Sequence, residues 1–300
     1  MTPMTHLSDI PVAVKGLPHK RMAVAYGEDA HTLQAVERAV KEGIVDAVVV
    51  GAKRTITEIA GECGVDTKLF EVMDVEGEMP SVKAAVKLVR DGSAHMLMKG
   101  LAHTDNYMRG ILDKETGLLP EGGTLSHVAV FDIPGYPRLL VLSDAAVIPL
   151  PTLLQKVAIT KYAIRVANSL RIEMPRIAFL SASENVLKFP SSQEAAILTG
   201  MAVRKQFGNV LAEGPLSIDL ALFPEISDIK GFKGRVRGDA DVLIVPDIDC
   251  GNALYKVIVR FAKAETAAMV TGTTAPCILS SRGDSEDSKF YSIALGALNA

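Results

Sequence analysis

Short apolar runs that alternate with amphipathic segments constrain the fold of this chain more than any other feature. Residues 45–51 include the three consecutive valines Val48 to Val50, and such continuous runs are typical of strands covered on both faces of a parallel sheet. The preceding segment, 31–41, has the apolar period of a helix. The same alternation continues to residue 98 and resumes at residue 176. It predicts an α/β fold with mostly parallel sheets and helices on both sides.

A turn-rich segment interrupts this alternation. Ile133–Pro137 contains a glycine and two prolines and joins two strand-like runs, 125–132 and 138–143. Two apolar runs joined by such a turn predict an antiparallel hairpin that follows the parallel part of the sheet.

The length of the chain indicates two lobes, because 300 residues exceed what one hydrophobic core usually serves. Pro151 suits the first residue of a long helix that reaches Leu170, and we place the boundary just before it. We therefore expect one α/β lobe from residues 1–147 with 281–300, and a second from residues 148–280.

Composition narrows the range of partners. The formal net charge is −3, from 32 basic and 35 acidic residues, so no general field attracts nucleic acid or a membrane surface. The absence of Trp argues against a base-stacking platform. The N-terminal segment lacks the apolar core of a secretory signal, and Cys63, Cys250 and Cys277 are too far apart for a CxxC site. We expect buried thiols in a cytoplasmic protein without nucleic-acid or membrane partners.

Polar residues stand directly after several apolar runs, where open parallel sheets bind their ligands. Lys99 follows one run and is either a solvated strand end or a phosphate contact; His103, shortly after it, is expected to be structural. Asp247 and Asp249 follow another run, and they either bind a metal or cap the next helix, which the pattern predicts over residues 252–264. No Walker, HExxH or GxSxG sequence occurs, so the commonest nucleotide-triphosphatase, zincin and hydrolase readings are excluded.

The strand end most informative about function is Ser281-Arg282-Gly283, which leads into a predicted helix. A hydroxyl, a guanidinium fork and the free N–H groups of a helix N-terminus can bind an anion together. Asp287 lies in the first turn of that helix, close enough to act on a bound group. A plain helix cap with a solvent-exposed arginine is the alternative, and the tripeptide alone leaves it open.

Related motifs run in order through nearly the whole chain. They are Met98-Lys-Gly100 with Thr104 and Arg109; Leu125 to Phe131; Leu142-Ser-Asp-Ala-Ala146 with Pro149 and Pro151; Gly214-Pro-Leu with Asp219; Gly238 to Leu243; Gly251-Asn with Tyr255-Lys256; and Ser281-Arg-Gly. Together they resemble the phosphate acetyltransferase and phosphate butyryltransferase family.

The resemblance implies two lobes with an active-site cleft between them, a fold akin to the isocitrate dehydrogenases, and a homodimer. It implies the reversible conversion of acyl-CoA and inorganic phosphate to acyl phosphate and CoA in a ternary complex. Coenzyme A is then a substrate, and neither a metal, another cofactor nor a covalent intermediate is expected.

The same resemblance assigns roles to particular residues. Arg282 binds phosphate, Ser281 beside it stabilises the charge that develops on the attacked carbonyl, and Asp287 is the base toward the CoA thiol in the reverse direction. The implied substrate contacts are Lys99, Thr104, Arg109, Asn252 and Tyr255, of which the lysine and the arginine would meet phosphate groups.

The sequence does not decide which acyl group is transferred. The sequence of residues 98–100 and 125–131 is similar to that of the butyryl branch, whereas Gly283 and Asp287 resemble residues of the acetyl branch. Two other classes compete with the acyltransferase. A metal-dependent NAD dehydrogenase of the same broad fold would need a cluster of acidic and histidine ligands, and a non-catalytic CoA-binding module would bind CoA without turnover.

Overall fold

The computed structural model describes residues 2–279 and 285–300. The chain divides into two compact units. The first unit, as we call it, contains residues 7–125 and 266–300, and the second unit contains residues 126–265 and the segment up to His6.

The first part of the first unit has the predicted alternation of strand and helix. Asp29 caps the second helix, since its side chain accepts a hydrogen bond from the backbone N–H of Thr32 at 2.9 Å. The elements are α1 (Asp9–Val14), β1 (Lys20–Ala25), α2 (Ala30–Lys41), β2 (Val45–Gly51), α3 (Lys53–Cys63), a 3₁₀ turn (Thr67–Leu69), β3 (Glu71–Asp74), α4 (Glu78–Arg90), β4 (Met96–Lys99) and α5 (Thr104–Leu112).

The second unit begins with the predicted hairpin and then resumes the alternation. Its elements are β5 (Ser126–Asp132), β6 (Leu140–Ser143), α6 (Leu153–Ser169), β7 (Arg176–Leu180), α7 (Pro190–Val203), β8 (Leu211–Leu216), α8 (Ile218–Leu222), α9 (Pro224–Ile229), β9 (Val242–Ile244) and α10 (Ile248–Arg260).

Two helix starts differ from the prediction because a side chain outside the apolar pattern caps the helix. Pro151 is not the first residue of α6: Thr152 is its N-cap and forms a capping box with Gln155. Likewise α10 begins at Ile248 rather than at Asn252, because the side chain of Asp247 accepts from the N–H of Cys250 at 2.9 Å.

The chain then returns to the first unit and completes its sheet with β10 (Glu265–Thr271) and β11 (Cys277–Ile278), followed by α11 (Glu286–Asn299). The strand order in this unit is β3-β2-β1-β4-β11-β10. All of these neighbours are parallel except β10, which is antiparallel to β11. The parallel strands therefore end at one edge, which carries Lys99.

The second unit has the strand order β5-β6-β9-β7-β8. Its first two strands form the predicted antiparallel hairpin, with Val128 opposite Ser143, and the other neighbours are parallel. The predicted lobe boundaries stay a prediction. The two compact units have other bounds, because β6 pairs with β9 and the hairpin therefore lies in the second unit. None of the helices in the described part of the chain is long and apolar enough to cross a membrane.

Candidate active site

The carboxyl end of β4 carries a buried lysine. Lys99 is 4% exposed, and its Nζ donates to the carbonyl oxygens of Gly100 and Ala102, each at 3.0 Å. Gly100 allows a close approach to the end of β1, because a Cβ there would lie 2.3 Å from the carbonyl oxygen of Tyr26. Of the two interpretations that the sequence left open, the solvated strand end is therefore wrong for Lys99.

The next helix, α5, carries two of the predicted substrate contacts. Thr104 is its first residue and Arg109 lies in its last turn, and both are exposed. Because each residue of a helix advances by about 100°, their positions fall on different faces of α5. This helix therefore does not group Arg109 with Thr104.

A carboxylate that the sequence analysis did not single out holds the N-terminus of α5. Glu78, the first residue of α4, accepts through Oε1 from the N–H of His103 at 2.6 Å and from Nδ2 of Asn106 at 2.8 Å. Its Oε2 lies 2.9 Å from Nδ1 of His103. Burial raises the pKa of Glu78, but the hydrogen bonds from Asn106 and His103 outweigh burial and lower the pKa below its ordinary value. His103 has the structural role that the sequence predicted.

Of the three predicted catalytic residues, Asp287 is the one within the described residues. Ser281 and Arg282 lie outside the described residues, and their roles stay a prediction. Asp287 is in the first turn of α11, which Ser285 caps by accepting from the N–H of Ser288 at 3.1 Å. The Asp287 side chain is 54% exposed.

Asp287 is bound to an arginine of α2 that the sequence analysis did not name. Nη1 of Arg38 donates to Oδ1 of Asp287 at 2.6 Å, and its guanidinium lies 4.0 Å from the ring centroid of Phe290. Burial lowers the pKa of Arg38, but hydrogen bonds to Asp287 and Glu42 more than offset burial, so the pKa is raised. The guanidinium thus fixes the orientation of the carboxylate from a neighbouring helix.

In the second unit, a buried carboxylate organises the loop after β6. Asp144 is 2% exposed and accepts from the N–H groups of Ala146, Val147 and Ile148 at 2.9, 3.1 and 3.1 Å. Gly251 of α10 packs on this loop, because a Cβ there would lie 2.4 Å from the carbonyl oxygen of Asp144. The carboxyl end of β6 and the start of α10 are therefore held together.

Asn252 and Tyr255, the predicted substrate contacts on α10, lie one turn apart near the start of that helix. Nδ2 of Asn252 donates to the carbonyl oxygen of Ala145 at 3.1 Å. The Tyr255 ring packs edge-on against Phe131 and His127, with centroid distances of 5.3 and 6.1 Å. Both side chains are half-buried, and their orientation is set by neighbours within the same unit.

The remaining strand-end residues have local roles. Asp247 caps α10, which confirms the capping interpretation for that carboxylate. Among the residues that the structure describes, no three His, Cys, Asp or Glu side chains come together as a metal site. The three cysteines are free thiols. Cys277 is buried as predicted, and burial raises its pKa to about 12, whereas Cys63 and Cys250 are half-buried.

Comparison with known proteins adds a full-length relationship to this geometry. The family described as phosphate acetyl/butyryl transferase matches residues 8–84 and 79–297 of the chain. The chain belongs to this family. In this family member, Lys99, Thr104, Arg109 and Asp287 lie in the first unit, and the pair on α10 lies in the second unit.

The chain has the same sequence identity to a member of each branch of the family. It is 40% identical over 288 residues to a phosphate butyryltransferase from Clostridium beijerinckii, covering 96% of this chain and 95% of the relative. It is also 40% identical over 282 residues to a phosphate acetyltransferase from Thermotoga maritima, covering 94% and 95%.

Solved structures agree with this family membership. A branched-chain phosphotransacylase from Enterococcus faecalis V583 is 33% identical and superposes with a TM-score of 0.82 over 93% of this chain and 98% of that chain. A 4-hydroxythreonine-4-phosphate dehydrogenase from Klebsiella pneumoniae, at 15% identity and a TM-score of 0.53 over 92% and 98% of the two chains, shares the fold alone. The predicted α/β fold is thus confirmed, and its likeness to a dehydrogenase concerns the fold.

Proposed function

We propose that this phosphate acyltransferase reversibly converts a short-chain acyl-CoA, acetyl-CoA or butyryl-CoA, and inorganic phosphate to acyl phosphate and CoA. The observation that carries the proposal is the family match from residue 8 to residue 297. The equal identity to a phosphate butyryltransferase and to a phosphate acetyltransferase supports a short acyl group.

In this proposal both substrates are bound together and the reaction is a direct acyl transfer. A phosphate oxygen attacks the thioester carbonyl carbon, the carbon–sulfur bond breaks, and the CoA thiolate leaves and takes up a proton. Arg282 binds the attacking phosphate, and Ser281 stabilises the negative charge on the carbonyl oxygen. One such donor typically accounts for a factor of about 10²–10³ in rate.

In the reverse direction the proton moves the other way. Asp287 accepts the proton of the CoA thiol, whose sulfur then attacks the carbonyl carbon of the acyl phosphate. The hydrogen bond from Arg38 to Asp287 supports this role, since it fixes where the carboxylate points.

The proposed substrate contacts are supported to different degrees. Lys99 is a buried cation at the carboxyl end of β4, the place where parallel sheets bind anionic ligands. Asn252 and Tyr255 are pre-oriented by Ala145 and Phe131. Thr104 and Arg109 are exposed and available to a ligand. We further propose a cytoplasmic homodimer that needs no cofactor and has neither nucleic-acid nor membrane partners.

The experiment that tests the reaction is the release of CoA thiol from acetyl-CoA, butyryl-CoA and a longer acyl-CoA, each with and without phosphate. We expect release that depends on phosphate, and the order of kcat/KM then names the acyl group, because one methylene changes the free energy by about 1–3 kcal/mol. Release that ignores phosphate identifies a thioesterase and overturns the proposal.

The residue roles need a separate test. We expect the double variant Ser281→Ala with Asp287→Asn to lose activity by a factor of about 10² or more. A loss below about tenfold in this double variant removes the assigned roles while leaving the reaction itself in place. The dehydrogenase and binding-module alternatives are not favoured, because the dehydrogenase likeness concerns the fold alone and the close relatives are transferases.

A further inference from the structure

β11, the strand that precedes Ser281 in the chain, is two residues long. Ile278 is its last residue and lies opposite Met98 of the parallel strand β4. A ladder of this length supplies few backbone hydrogen bonds, whereas a group that stabilises charge on a reacting atom needs a defined position. The position of the end of β11 therefore depends on interactions from outside the sheet ladder.

A buried tyrosine of α5 supplies such an interaction. Oη of Tyr107 donates to the carbonyl oxygen of Ile278 at 3.0 Å and lies 3.4 Å from the carbonyl oxygen of Leu97 in β4. Burial raises the pKa of Tyr107 well above its ordinary value, so the hydroxyl keeps its proton and remains a donor. One hydroxyl group thus bridges two neighbouring parallel strands near their carboxyl ends.

Both of these strands lead to residues of the proposed reaction. Leu97 lies two residues before Lys99, and Ile278 lies three residues before Ser281. The Tyr107 side chain is 0% exposed, so its hydroxyl is not available to a substrate. Any effect of this hydroxyl on the reaction must therefore pass through the two strands.

The helix that carries Tyr107 is itself fixed at two places. Glu78 accepts from the N–H of His103 at 2.6 Å, and the N–H of Tyr107 donates to the carbonyl oxygen of His103 at 3.0 Å. One turn after the tyrosine, Gly110 packs on α4, because a Cβ there would lie 2.5 Å from Cγ1 of Val82. The hydroxyl that holds β11 is therefore attached to a helix with a defined position.

We propose that Tyr107 is a positioning residue for the acyl transfer, which fixes the end of β11 and thereby the position of Ser281. The proposal rests on the proposed function for the role of Ser281, whereas the bridge between β4 and β11 rests on the distances given above. A tyrosine suits this place because its ring can be buried while its hydroxyl finds a hydrogen-bond acceptor.

The test is Tyr107→Phe, which removes the hydroxyl and keeps the ring. We expect kcat for phosphate-dependent CoA release to fall by about tenfold, with the KM of acyl-CoA within about twofold of wild type. The reason is that a displaced charge-stabilising group weakens the transition state and leaves substrate binding in place. Steady-state kinetics at a temperature where both proteins are folded measure these constants.

Tyr136→Phe is the matched control, because it removes another hydroxyl that donates to a backbone carbonyl. Oη of Tyr136 donates to the carbonyl oxygen of Ala240 at 2.8 Å, and Ala240 lies before the start of β9 in the second unit. This hydroxyl is therefore at the amino end of a strand, away from the strand ends that lead to Lys99 and Ser281. The control should leave kcat unchanged.

A double variant tests whether the effect passes through Ser281. In a Ser281→Ala background, Tyr107→Phe should change kcat by less than about twofold, because the group that the tyrosine positions is absent. Amide hydrogen exchange tests the hold on β11 without turnover. The peptide that contains Cys277 and Ile278 should exchange at least about fivefold faster in Tyr107→Phe and at the wild-type rate in Tyr136→Phe.

The outcomes separate this proposal from the proposed function. A kcat of Tyr107→Phe within about twofold of wild type, or an equal loss in Tyr136→Phe, overturns the positioning role. Equal losses from Tyr107→Phe with and without the Ser281 hydroxyl overturn the route through that residue. Absence of phosphate-dependent turnover in wild type overturns the proposed function instead, and the exchange rates then decide whether the hydroxyl holds β11.

Discussion

Nη1 of Arg38 lies 2.6 Å from Oδ1 of Asp287, so a guanidinium of α2 binds the carboxylate at the start of α11. The guanidinium is itself held by Glu42 at 3.2 Å and by the ring of Phe290. Asp287 therefore has a fixed orientation before any substrate binds, which is a property expected of a group that moves a proton at a defined atom.

The first prediction concerns this pair. We expect Arg38→Met to lower kcat for the reaction of acyl phosphate with CoA by about tenfold, because the carboxylate loses its orientation. The free energy of unfolding should change by less than about 1 kcal/mol, since partly exposed ion pairs contribute little. Steady-state kinetics and denaturant unfolding measure both quantities.

The control for that change is Arg54→Met, which removes an arginine of α3 whose side chain is 90% exposed and paired with Glu58. This control should leave kcat unchanged. Equal kcat values for the Arg38 and Arg54 variants would contradict a positioning role for Arg38.

The second prediction concerns the pH dependence of stability through Glu78. Burial raises its pKa, and hydrogen bonds from Asn106 and His103 outweigh burial, so the folded-state pKa is below the ordinary value of 4.5. A carboxyl of this kind contributes stability above its unfolded pKa and loses the contribution as the pH falls through the folded pKa. Wild type should therefore be more stable than Glu78→Gln at neutral pH.

The difference between the two proteins should shrink as the pH falls below about 4.5. Denaturant unfolding of both proteins between neutral and acidic pH measures it. Glu76→Gln serves as the comparison, because Glu76 is exposed and precedes α4. A stability difference for Glu78→Gln that does not vary with pH would show that its carboxylate does not hold α5.

The third prediction uses two glycines inside helices. A Cβ at Gly251 would lie 2.4 Å from the backbone carbonyl oxygen of Asp144, whereas a Cβ at Gly61 would meet nothing within 4 Å. Gly251→Ala should therefore destabilise the protein by about 1–3 kcal/mol and weaken substrate binding through Asn252. Gly61→Ala should stabilise it by about 0.5–1 kcal/mol.

Thermal unfolding and KM values for both alanine variants test this contrast. The same sign of stability change at the two positions would mean that α10 and the loop after β6 are not in close contact. A destabilised Gly251→Ala with unchanged KM values would separate the packing of Gly251 from the proposed role of Asn252.

Local sequence patterns determined much of this protein. β2 has the predicted bounds, Val45–Gly51, because an apolar run depends on neighbouring residues. The ordered motifs at strand ends, such as Met98-Lys-Gly100, also determined the family. Where a single polar side chain decides a boundary, as Thr152 does for α6, the apolar pattern alone was not enough.

Only the tertiary structure decided what the charged side chains meet. Periodicity marks Arg38, Glu78 and Lys289 as polar positions of helices, but it does not identify their surroundings. The sheet order β3-β2-β1-β4-β11-β10 brings α11 back to the first unit. Arg38 thereby meets Asp287, and Lys289 becomes buried. Hydrogen bonds and burial depend on distances in space, and a linear sequence records only distances along the chain.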